Sequence, residues 1–173
     1  MTRTSRRSSS ATPASPLYIA VIGGGTAPEE DLSAAEAIGG LIASAGAYLV
    51  CGGLGGVMER ASRGARASGG TTIGILPGEE RAAANPWLDV VIATGMGEAR
   101  NAVIVNSCDA VIAVGGEFGT LSEIGLALRA GKPVVGLRTW QLSRADSNDP
   151  AITVVNTAAE AVESALSLAP SAG

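Results

Sequence analysis

Seven short apolar runs punctuate the chain, at 18–22 (YIAVI), 48–51 (YLVC), 71–76 (TTIGIL), 88–92 (LDVVI), 109–114 (DAVIAV), 133–137 (PVVGL) and 152–155 (ITVV). Apolar residues in them are continuous rather than alternating, the pattern of strands buried on both faces. Between the runs lie stretches of helical periodicity, at 28–45, 55–68, 97–107, 120–130 and 157–168. Pro28 suits a first helical position, and Glu29, Glu30 and Asp31 follow it, facing the positive end of the helix dipole. Strands alternating with helices predict an α/β chain with a single doubly wound, mostly parallel sheet flanked by helices. Ligand loops then fall at the C-terminal ends of the strands.

The pattern places one domain over residues 17–169, with a polar loop or excursion at 138–151 (RTWQLSRADSNDPA). Residues 1–16 are rich in Ser, Thr, Arg and Pro and are expected to form a disordered tail. Arg6-Arg7 invites an export reading, but the apolar run from Leu17 to Ile22 is too short and ends in three glycines. No apolar stretch has the length of a membrane span, so a cytoplasmic protein is expected.

Charge narrows the partners. The tail carries +3, which leaves 9 basic and 16 acidic residues in the body. So acidic a body excludes non-specific binding to nucleic acid or anionic membrane. There is no histidine, which removes Ser-His-Asp triads, histidine bases and His-ligated zinc. Cys51 and Cys108 have no metal or redox spacing and read as buried reduced thiols, and no metal site is expected.

Glycine, at 24 of 173 residues, then becomes informative. Three clusters follow strands directly: Gly23-Gly24-Gly25, Gly52-Gly53-Leu54-Gly55-Gly56 and Gly115-Gly116-Glu117-Phe118-Gly119-Thr120. The third is the best phosphate cradle, because glycines let amides converge on an anion and a helix N-terminus follows with the Thr120 hydroxyl. A capping box between Thr120 and Glu123 is the structural alternative. The acids after Gly25 disfavour a phosphate at the first cluster, which suits a base or ribose better. Arg100, in Met96–Asn101 (MGEARN), is expected on the same rim, pairing with a phosphate or with Glu123. Arg60, Arg63 and Arg66 read as a solvated helix face. The dinucleotide GxGxxG and the P-loop spacings are both unmet.

Cys51–Glu59 (CGGLGGVME), MGEARN and Gly115–Glu123 (GGEFGTLSE) together resemble a Rossmann-like nucleotide-binding superfamily. It includes the Lonely Guy cytokinin-activating phosphoribohydrolases and the molybdenum cofactor carrier proteins. The hydrolase hallmark, PGGxGTxxE with an Arg-Lys pair, is altered here. Val114 replaces the proline, two residues separate the glycine pair from Gly119-Thr120, and Asn101 follows Arg100. These departures resemble the carrier branch more. The lysine decarboxylase label that some members carry has no chemical support, since the single lysine, Lys132, is remote from the motifs.

The resemblance implies binding of a phosphate-bearing nucleotide or pterin-type cofactor, the molybdenum cofactor included. The implied ligand residues are Gly23, Gly24, Gly52, Gly53, Gly55, Met58, Arg100, Asn101, Gly115, Gly116, Gly119, Thr120 and Glu123. In the alternative, a nucleoside 5′-monophosphate phosphoribohydrolase, Glu123 orients or activates water and Arg100 positions the substrate. A homodimer or homotetramer is also implied by the resemblance alone.

Overall fold

The computed structural model describes residues 15–143, 145 and 151–170. Most of the expected tail, residues 1–14, and much of the 138–151 loop lie outside these residues. All seven apolar runs form strands: β1 (Tyr18–Gly23), β2 (Tyr48–Cys51), β3 (Thr72–Leu76), β4 (Val90–Ala93), β5 (Ala110–Val114), β6 (Val134–Leu137) and β7 (Thr153–Val155). They make one sheet in the order β4-β3-β2-β1-β5-β6-β7, and every pair is parallel. The helices are α1 (Glu29–Ser44), α2 (Val57–Ala67), α3 (Asn101–Asn106), α4 (Phe118–Arg129) and α5 (Ala158–Leu168).

Side chains alternate across the strands into two cores. Ile19, Val21, Leu49 and Ile112 face α1, α2 and α5, whereas Ala20, Ile22, Val50 and Val111 face α3 and α4. The result is the expected Rossmann-like fold, with helices on both faces of the sheet. Burial on both faces holds for the central strands but not at the edges. Val90 and Ile92 of β4 and Val154 of β7 are about half exposed, because an edge strand has a neighbour on one side only. Among the described residues no helix is long and apolar enough to cross a membrane.

The strand order reverses between β1 and β5. Loops leaving those two strands diverge, since one chain crosses to α1 on one face and the other to α4 on the opposite face. A crevice opens between them, where a doubly wound sheet takes its ligand.

Candidate functional site

A cleft of about 630 Å³ occupies that crevice. Its wall includes eight of the residues expected there: Gly23, Gly24, Met58, Arg100, Asn101, Gly119, Thr120 and Glu123. The five others do not line it, and four of them, Gly52, Gly53, Gly115 and Gly116, make room for the residues packed against them. A Cβ on Gly52 would stand 2.6 Å from both terminal nitrogens of Arg100, so this glycine lets the guanidinium lie against the β2 backbone. Gly53 and Gly55 belong to the same turn, Gly53 fitting beside Leu76 at φ 76°. Gly115 (φ 52°) accommodates the Asp31 carboxylate, and Gly116 (φ 98°) accommodates Thr120. Gly25 of the first cluster is also on the wall, and Thr26, Leu54, Pro77, Glu98 and Glu117, which were not expected, complete it. Leu54 and Glu117 sit inside the glycine clusters and Glu98 inside MGEARN, so the motifs carried them unrecognised.

The third glycine cluster leads into α4 earlier than its pattern suggests. The helix starts at Phe118 with Glu117 as N-cap, and no side chain caps it. Thr120 is therefore the third helical residue rather than the cap, and the capping box with Glu123 does not form. First-turn amides stay free for an outside acceptor, and Thr120 is 3% exposed beside them.

Opposite this turn the expected helix 97–107 divides. Gly97–Arg100 is a 3-10 turn and α3 continues from Asn101. Gly97, at φ 58°, opens the 3-10 turn, and its N–H donates to the Pro77 carbonyl at 2.9 Å. Arg100, the last residue of that turn, is 7% exposed. Its guanidinium donates to Asn101 Oδ1 at 2.8 Å and lies 3.7 Å from Glu123 Oε1. Arg100 Nε is buried with no partner, an arrangement that costs free energy unless an acceptor arrives.

Burial dominates the electrostatics of this pair. It pushes the Glu123 carboxyl up to about 7, against the opposing pull of Arg100. It also lowers Arg100, which the facing carboxylate partly offsets. In the unfolded chain Glu123 ionises near 4.5, so the native state holds an extra proton between pH 4.5 and 7. Stability then falls as pH rises through that window. Glu123→Gln is expected to remove this component. Urea unfolding at pH 5 and pH 8 checks it: wild type should lose more stability toward pH 8 than the variant, and equal slopes would contradict the assignment.

Four other basic residues are engaged elsewhere. Arg60 pairs with Glu29 and Glu36, Arg63 with Glu36 and Arg66 with Asp89, so this face is ion-paired rather than merely solvated. Lys132 Nζ donates to the Cys108 carbonyl at 2.6 Å. Both cysteines are buried free thiols, and burial raises them, Cys108 to about 11. Among the described residues Arg100 is the one cation on the cleft wall, which it shares with Glu98, Glu117 and Glu123.

The segment after β6 braces the cradle from outside. Trp140 Nε1 donates to the Glu117 carbonyl at 3.2 Å, and its ring lies 5.6 Å from that of Phe118. Arg138 Nε donates to Asp31 Oδ1 at 2.8 Å, behind Gly115.

Comparison with known proteins agrees with this architecture. An uncharacterised protein of Archaeoglobus fulgidus is 48% identical over 122 residues, 70% of this chain and 80% of its own. The molybdenum cofactor binding protein from the phototrophic bacterium Rippkaea orientalis superposes with a TM-score of 0.81 at 38% identity, covering 88% of this chain and 97% of its own. The molybdenum cofactor carrier protein from Chlamydomonas reinhardtii gives 0.78 at 35%, covering 89% and 98%. Residues 16–164 match the SLOG cluster4 family. The chain thus belongs to the SLOG cluster4 family, on the carrier-protein side of the superfamily that its glycine motifs resemble.

Proposed function

We propose that the protein binds a phosphate-bearing nucleotide or pterin-type cofactor, with the molybdenum cofactor as the leading candidate cargo. The observation that carries this reading is the unpartnered Nε of the buried Arg100, in a cleft shared with the uncapped first turn of α4. Both lack acceptors, and a phosphate or a polar heterocycle supplies several. The apolar part of the wall, at Leu54, Met58 and Pro77, suits a planar ring. The residues present therefore fit a pterin carrying a phosphate. Arg100, Asn101, Gly119 and Thr120 would hold its polar groups, and the cofactor's metal chemistry would be exercised only after delivery.

Thermal-shift titration with molybdopterin-type ligands and nucleoside monophosphates tests the proposal, with Gly119→Asp as the control. Space around Gly119 is open, with no heavy atom within 4 Å of an added Cβ, so the aspartate should fold normally and repel an anion. The wild type is expected to be stabilised and Gly119→Asp not at all. Equal responses would refute the site.

One observation favours a second reading, phosphoribohydrolase activity. A carboxyl group near 7 can both hold and give up a proton at working pH. Glu123 would orient water and stabilise an oxocarbenium-like centre while Arg100 offsets developing negative charge. Chromatography of AMP incubated with the protein would then give free adenine. Loss of turnover in Glu123→Ala would support that role, and persistence would exclude it.

A further inference from the structure

We propose that Arg138 is a specificity-determining residue that makes the cleft select phosphorylated over unphosphorylated ligands. It would do so by cancelling the carboxylates that α1 places behind the cradle. The inference rests on the reading above that the cleft takes a phosphate-bearing ligand.

The first turn of α1 is acidic, and Asp31 is its buried member, 8% exposed. Its carboxylate lies so close to Gly115 that a Cβ there would meet Oδ2 at 2.2 Å. One negative charge therefore stands a single residue from Gly116, where the cradle begins. Left alone, it would oppose any anion bound by the neighbouring amides.

Arg138 supplies the compensation. Its Nε donates to Asp31 Oδ1 at 2.8 Å, and a terminal nitrogen donates to the Glu30 carbonyl oxygen at 3.0 Å. The Glu30 carboxylate lies 3.4 Å from the other terminal nitrogen. To reach across, Arg138 adopts φ 51°, the single positive φ outside glycine among the described residues. Such a conformation is costly for a side-chain-bearing residue. A glycine would fit this backbone better, which indicates that the guanidinium is what the position requires. Gly115 N–H donates to the Leu137 carbonyl at 3.0 Å, so the residue bearing this cation adjoins the cradle strand directly.

Arg138→Gly removes the charge while keeping the backbone conformation, so the variant is expected to fold. Calorimetric titration with AMP and with adenosine should show AMP affinity falling about ten-fold at low ionic strength, with adenosine unchanged. The AMP defect should shrink as salt is raised. Arg138→Gly combined with Asp31→Asn should restore AMP binding to within about two-fold, because the uncompensated charge is gone. A merely structural role predicts equal losses for AMP and adenosine and no rescue, and either result would overturn the proposal. So would unchanged AMP affinity in Arg138→Gly. If wild type binds neither AMP nor adenosine while the molybdopterin-type ligands shift its melting, the same comparison is made with a phosphorylated and a dephosphorylated pterin. If no phosphorylated probe binds, the ligand reading falls and this inference with it.

Discussion

Arg100→Ala is expected to weaken ligand binding about 100-fold, roughly 2.8 kcal/mol. Hydrogen bonds involving a charged group contribute about 1.5–3 kcal/mol each, and among the described residues Arg100 is the one cation on the cleft wall. Its Nε is a buried donor without a partner, so a ligand acceptor that reaches it would relieve an existing penalty as well as adding a contact. Calorimetric titration with AMP or a molybdopterin-type ligand measures the loss. Arg100→Lys should recover only part of it, since an ammonium restores charge without the guanidinium fork. Unaltered affinity in Arg100→Ala would exclude Arg100 from the ligand. Because the substitution strands Glu123, that carboxyl should hold its proton to still higher pH. Retained folding is checked by circular dichroism, and Arg100→Ala with Glu123→Gln offers a neutral background if the single variant proves unstable.

Much of this site was legible in the sequence because strand ends are easy to find. A continuous apolar run that stops at a glycine cluster, as Leu49–Cys51 stops at Gly52, marks the C-terminal edge of a parallel sheet. The motif GGEFGTLSE placed Gly119, Thr120 and Glu123 together in the same way. Helix starts were harder to place. Thr120 looks like a cap because Thr with Glu three residues later is a capping pattern, yet α4 starts at Phe118, with Glu117 at the N-cap position and no side-chain cap. Long-range electrostatics were not legible at all. Nothing near Arg138 in sequence indicates that it reaches Asp31, 107 residues away. The acids opening α1 seemed hostile to an anion for that reason. The same holds for Arg60 and Arg63, whose partners on α1 become visible only once the two helices are packed.

That helix pair yields the largest expected stability effect. Gly39→Ala in α1 should destabilise the protein by about 3 kcal/mol, and Gly64→Ala in α2 by a similar amount. A Cβ on Gly39 would stand 1.9 Å from the Ala61 carbonyl oxygen, and one on Gly64 would stand 1.9 Å from that of Glu36. The obstacle in both cases is helix backbone, which cannot rotate away as a side chain can. The helices must separate, and Ala35, Ile38, Ala61 and Ala65, all buried, lose packing together. Against this stands the helix-propensity gain of alanine over glycine, about 1 kcal/mol, which the steric cost exceeds. Gly125 in α4 provides the contrast, since no heavy atom lies within 4 Å of a Cβ there. Gly125→Ala should therefore stabilise by up to about 1 kcal/mol. Thermal unfolding should show a fall of about 6–12 °C for Gly39→Ala and a small rise for Gly125→Ala. The double variant at Gly39 and Gly64 should fall by less than the sum, because one separation of the helices relieves both clashes. Additive losses would mean that the two contacts yield independently, and a stabilised Gly39→Ala would show that these helices do not meet backbone to backbone.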